Sequence, residues 1–239
     1  MRTAKGSRSG FFLWMGLTFL VVAIVGFSTT FLIPLARGRF EAAPLIHAHG
    51  ALLFGWLLFF ISQALLIRNR ELALHRRLGW CGCAACVAIV VSGVLVGLHA
   101  TRRDLAAGGD DFVRGQLVNV VIEMLMFSGL VIAAIVLRKD GASHKRLLLL
   151  ATISALGPAW LRFRHIFTAV ANPFVVFSVL ADALLLVAIV YDWTVYRRVH
   201  PVYVWAGGAM VAVHTIELMA VTSLPWLWMA RWLLGEPAS

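Results

Sequence analysis

Seven apolar stretches of about 20 residues or more run along the chain, covering roughly residues 11–35, 44–67, 78–98, 116–137, 146–167, 173–193 and 202–228. At 1.5 Å per residue each is long enough to cross a hydrocarbon layer of ~30 Å as a helix. Backbone groups in lipid must be satisfied within their own segment, so helices are predicted, and the alternation expected of barrel strands is absent. Composition agrees, with 61% of the 239 residues hydrophobic and 13% charged. A water-soluble domain is nearer half apolar and about a quarter charged, and a disordered chain is more polar still. The expectation is an all-α, polytopic seven-helix bundle forming a single transmembrane domain over residues 1–239. Pro44, Pro173 and Pro201 fall near span starts, where a missing amide hydrogen costs little. Pro158 falls inside the fifth span and predicts a kink there.

The charges set the orientation. With the N-terminus in the cytoplasm, the inner segments hold 13 Lys and Arg against 8 in the outer ones, which is the sense of the positive-inside rule. The inner set comprises Arg2, Lys5 and Arg8; Arg68, Arg70, Arg76 and Arg77; Arg138, Lys139, Lys145 and Arg146; and Arg197 and Arg198. A net charge of +10 then needs no nucleic acid, because anionic lipid on the cytoplasmic side suffices as partner. The C-terminus is expected outside. The first apolar run exceeds the 7–15 residues usual for a secretion signal, which predicts an uncleaved first helix. The pattern fits a multi-pass protein of a bacterial inner membrane.

Ionisable groups inside a bilayer are costly, so each is a functional candidate by default. His49 lies ~8 Å into the second span and Glu123 ~11 Å into the fourth. Asp182 lies near the middle of the sixth span, and His214 and Glu217 share one face of the seventh, three residues apart. Asn119 is four residues before Glu123, while Arg162 and His165 lie three apart near the outer end of the fifth span. All these positions belong to the outer half. The expected ligand or metal constellation is His49, Glu123, Asp182, His214 and Glu217, with His47, Asn119, Arg162 and His165 at its rim. His47 points away from His49 on a regular helix. His49, Trp56 and Gln63 recur every seven residues as a polar-aromatic stripe facing the bundle interior.

Imidazole and carboxylate together are the usual ligands of zinc, iron, manganese or copper, and two histidines from separate helices can hold a haem iron, as in haem b. A transition metal or haem is therefore one expectation, with redox or metal-assisted chemistry. A second is a small-ligand or proton-coupled carrier or sensor using the same pocket, since intramembrane acids and histidines form relays. A third is a structural or assembly protein in which Asp182 pairs with Arg162, Glu217 with His214, and Glu123 with Asn119 or a proton.

The opposite ends of the helices carry a repeated motif. His75-Arg76-Arg77-Leu78 leads into the third span and His144-Lys145-Arg146-Leu147 into the fifth, a hint of duplicated two-helix units. Anchoring of helix ends to headgroups is the simpler reading. Trp80, Trp193, Tyr196 and Trp205 would form the aromatic belt at that level, and Trp226, Trp228 and Trp232 at the other. Cys81, Cys83 and Cys86 are read as small residues at a close helix approach rather than as a metal or redox site. Phosphate-binding glycine loops, G-x-S-x-G, H-E-x-x-H and C-x-x-C-H are all missing. The last span also lacks the paired histidines, four apart, of seven-span zinc hydrolases.

His49-Gly50 with Trp56 and Gln63, L-H-R-R-L-G at 74–79, H-K-R-L-L-L-L-A-T at 144–152, Tyr191-Asp192 and R-V-H-P at 198–201 together resemble a widespread group of bacterial seven-helix integral membrane proteins with no assigned activity. The resemblance covers most of the chain from the second span onward. It implies the seven-helix fold and a bacterial inner membrane, and no activity.

Overall fold

A computed structural model of the chain describes residues 3–169 and 173–236, in which every regular element is a helix. Arg2 and the side chains of Lys5 and Arg8 lie outside the described residues. The elements are α1 (Thr3–Phe27), α2 (Pro44–Arg68), α3 (Leu72–Ala106), α4 (Leu117–Val136), α5 (Gly141–Ser154), α6 (Gly157–Arg162), α7 (Pro173–Tyr196), α8 (Gly208–Ala220) and α9 (Leu224–Leu234). A π-helical turn, Ser28–Leu32, carries α1 on to Ala36, and a second, Tyr203–Gly207, leads into α8. A short turn of helix, Asp111–Gly115, precedes α4.

Six helical segments are long and apolar enough to cross a membrane, and a seventh crossing is formed if Tyr203–Ala220 and Leu224–Leu234 are taken as one bent span. The exposed surface between the helix ends is apolar: Leu58, Val87, Leu125, Val179, Leu186 and Ile216 are each more than half exposed. Apolar side chains turned outward in this way are what a lipid-facing surface requires. The chain is a helical, multi-pass, membrane-type protein.

Two differences from the sequence expectation have local causes, and one expected interruption is present. The third span was expected at 78–98, but α3 is 35 residues long, about 52 Å, because the basic turns at both its ends stay helical. The fifth span is interrupted as expected: α5 stops at Ser154 and α6 restarts at Gly157, with Pro158 in its first turn, where proline is tolerated. The last span was expected to continue to residue 228, but it breaks after Ala220, and α9 leaves at 84°. Pro225 opens α9 and cannot continue the preceding helix. The bend is seated where the Val221 carbonyl packs directly on Gly115; a β-carbon there would lie 1.9 Å from that oxygen. Trp226 donates its indole N–H to the Gly115 carbonyl at 2.9 Å. Trp226 is thus tied inward, while Trp228 and Trp232 are exposed.

The core is wrapped around α5. Leu149, Leu150, Ala151, Thr152 and Ile153 are all fully buried. Phe12, Met15, Phe19, Val22 and Ala23 form the helical stripe by which α1 joins this core. Gly26 lets α1 touch the backbone of α6, since a β-carbon would stand 2.3 Å from the Ala159 oxygen. Trp56 of the stripe predicted on α2 donates to the Thr152 hydroxyl at 3.2 Å, fixing α2 on α5.

Asp140 caps α5. Its carboxylate accepts from the Ser143 hydroxyl at 2.5 Å and from the Ala142 amide at 3.0 Å. These bonds, the hydroxyl's first, hold its pKa below the usual 3.8. A group depressed on folding stabilises the fold above its unfolded pKa and loses that contribution as the pH falls through the lower folded value. The protection of the Ala142 and Ser143 amides from exchange, taken relative to their intrinsic rates, should therefore fall as the pH drops below about 4. In Asp140→Asn, whose side chain caps without titrating, that acid step should be gone. An unchanged acid step in the variant would assign it to another group.

Candidate functional site

Four ionisable side chains from three helices meet inside the bundle, away from the end that carries the H-(R/K)-R-L motifs. Glu123 comes from α4, Asp182 from α7, and His214 and Glu217 from α8. The three-residue spacing predicted to align His214 with Glu217 does so, and both are buried, at 8% and 7% exposure. His214 is held from both sides. Its Nδ1 lies 2.8 Å from Asp182 Oδ1 and its Nε2 3.3 Å from Glu123 Oε1. One ligand atom from each of Glu123, His214 and Glu217 falls within 4.8 Å of the others. The break between α5 and α6 brings Gly157 to this place, with a β-carbon position 3.8 Å from Glu123 Oε1.

Two oxygens of this group are unsatisfied. Glu123 Oε2 and Glu217 Oε1 are buried and accept no hydrogen bond. An unpaired buried carboxylate oxygen is expensive, and such a group calls for an explanation. Two converging carboxylates and an imidazole nitrogen suit a divalent transition ion by charge and by donor type. Asp182 has a different part. A carboxylate bonded to the outer nitrogen of an imidazole fixes its tautomer and orientation, leaving the other nitrogen as ligand.

The other predicted residues are placed elsewhere. His49 faces α3 and pairs through Nδ1 with the Ser92 hydroxyl at 2.9 Å. Because that hydroxyl gives its own hydrogen to the Ala88 carbonyl at 2.6 Å, the imidazole Nδ1–H is the donor. His47 packs against the rings of Phe31 and Phe40. Asn119 donates to Gln116 Oε1 at 2.6 Å rather than to Glu123. Arg162 donates to the Pro158 carbonyl at 2.8 Å and lies over the Phe27 ring, so the expected pairing with Asp182 is not formed. His165 is exposed in the 3-10 turn Phe163–His165.

A second buried polar group occupies the opposite end. Arg146 and Asp192 form a two-pronged ion pair, Nε to Oδ2 at 2.9 Å and Nη2 to Oδ1 at 2.7 Å, with exposures of 3% and 1%. The expectation that Arg146 anchors a helix end to headgroups is therefore corrected, although Arg76 and Arg77 are exposed. The guanidinium also lies over Tyr196 and Tyr203. Asp192 Oδ2 accepts the His200 amide at 3.2 Å. Burial and then the Arg146 charge push the His200 imidazole below its usual 6.5, which suits Nδ1 as acceptor of the Val202 amide at 3.3 Å. Asp192 is a buried charge that the sequence reading counts with a connecting segment instead of the bundle interior. The available signal was that Asp192 and Arg146 end two spans at one level.

Asp182 and Asp192 are ten residues apart on α7, about 15 Å, and Leu185, Ala188 and Met210 are buried between them. Gly207 presses on Leu185 there, its β-carbon position 2.9 Å from a leucine methyl.

No protein-family model, no curated protein and no solved structure matches the chain.

Proposed function

We propose that this chain is a metal-binding integral membrane protein whose site, in the outer half of a seven-helix bundle, holds one divalent transition ion on Glu123, His214 and Glu217. The observation that carries this is the pair of unsatisfied carboxylate oxygens beside an imidazole already oriented by Asp182. A dication would balance Glu123 and Glu217 and take the position between His214 Nε2 and Glu123 Oε1. Three protein ligands is the number at which zinc sites keep a position for water or substrate, which favours metal-assisted chemistry on a small molecule. Haem suits the site less well, because axial ligation draws on imidazole, thiolate, thioether or phenolate, whereas two of the three donors here are carboxylates.

The bent last span counts as the seventh crossing in this reading, with the N-terminus in the cytoplasm of a bacterial cell and anionic lipid against the basic helix ends. The excess of Lys and Arg at those ends supports that orientation. Elemental analysis of the detergent-purified chain tests the proposal: about one zinc, iron or manganese per chain is expected, falling to background in His214→Ala. Metal contents that are equal in the two proteins would overturn it.

A further inference from the structure

The two copies of the H-(R/K)-R-L motif place their histidines against each other. His75 stands in the first turn of α3 and His144 in the first turn of α5, their ring centroids 6.4 Å apart and their planes at 88°. Neither is part of the Glu123–His214–Glu217 group.

Each ring has one nitrogen whose hydrogen bonding bears on its capacity as a ligand. His144 Nδ1 is 2.8 Å from the carbonyl of Ala134, a residue with no exposed surface. A carbonyl only accepts, so Nδ1 carries the hydrogen, and in the neutral ring Nε2 is left with the lone pair a metal would take. An imidazole whose far nitrogen donates to a backbone carbonyl is oriented as metal-bound histidines are. His75 Nδ1 is buried and has no hydrogen-bond partner. It too stands as an unsatisfied polar atom. With metal–imidazole bonds near 2.0–2.1 Å, two rings on one ion in line hold their centroids roughly 6 Å apart.

We propose that His75 and His144 form a second metal site, selective for copper(I), at the end of the bundle opposite the carboxylate site. The ion type follows from the donors and the surrounding charge. Two neutral imidazoles without a carboxylate suit a soft, low-charge ion, and imidazole is a copper ligand. Arg76 and Arg77 follow His75 directly, and Lys145 and Arg146 follow His144. A single positive charge is repelled less by these cations than a double one. Among the described residues the carboxylates by these motifs are placed otherwise: Asp192 is taken by Arg146, Asp140 accepts from Ser143 and Ala142, and Glu71 is exposed.

The test is titration of the full-length chain, in detergent and under reducing conditions, with copper(I) against a competing chelator. Because thiolates also bind copper(I), the parent carries Cys81→Ser, Cys83→Ser and Cys86→Ser. One copper per chain is expected, lost in His75→Ala and again in His144→Ala, and kept in Glu123→Gln, which removes only a carboxylate of the other site. Copper binding that neither histidine variant alters, or no binding by the parent, overturns the proposal. If the parent does not fold, X-ray absorption of copper-loaded wild-type protein decides: two nitrogen neighbours support the site, and sulfur neighbours refute it.

Discussion

Asp192→Ala should lower the stability of the bundle by about 3–5 kcal/mol, the loss typical when one partner leaves a buried pair. The magnitude follows from what remains. Arg146 is 3% exposed, so its charge would stay in the core with two of its nitrogens stripped of acceptors. The Ala142 carbonyl, at 2.9 Å from Nη1, would remain as its hydrogen-bond acceptor. The His200 amide would lose its acceptor as well, loosening the entry into the π-helical turn before α8. Arg146→Met with Asp192→Leu should recover most of the loss, since replacing both charges of a buried pair with apolar side chains is often neutral or better. Denaturant unfolding in detergent checks both. A single variant within about 1 kcal/mol of wild type would mean that water reaches the pair.

Substitutions in the carboxylate site should separate binding from folding. Glu217→Gln removes a ligand charge and should weaken metal binding by more than the roughly 10–100-fold that loss of an outer partner costs. In metal-free protein the same change should leave stability unchanged or raise it, because an amide cannot carry the buried charge and brings an N–H donor to the group in which Glu123 Oε2 lacks one. Asp182→Asn, by contrast, leaves all three ligands in place. It removes the carboxylate 2.8 Å from His214 Nδ1, and should cost affinity by about 10–100-fold while preserving one ion per chain. A structural network predicts the opposite pattern: Glu217→Gln would destabilise the metal-free chain, and metal affinity would not separate the two variants. Competition titration with zinc, alongside thermal unfolding with and without metal, reads out both.

Much of this arrangement was legible in the sequence because lipid makes burial of charge expensive. Glu123, Asp182, His214 and Glu217 stood out inside apolar runs, and the three-residue step from His214 to Glu217 placed them on one face. The register between helices was not legible. Periodicity orients each helix toward the interior without saying which neighbour it meets there. His49, as deep as the others by residue count, therefore turns to Ser92 on α3 instead of joining the carboxylates. Arg162 is separated from the site by the α5–α6 break, which leaves it over Phe27. Asp192 escaped notice for the converse reason. A charge at a helix end reads as solvated, and only packing of α7 against α5 shows that it is enclosed with Arg146. The bend into α9 had its signal in Ser223-Leu224-Pro225, outweighed by the apolar run through Trp228.

The most direct measurement is X-ray absorption of the full-length chain loaded with one zinc per chain. The account predicts a first shell of oxygen together with a single imidazole, from Glu123, Glu217 and His214, with no sulfur. A shell containing sulfur from the Cys81–Cys86 turn, a shell of two imidazoles, or failure to retain zinc would contradict it.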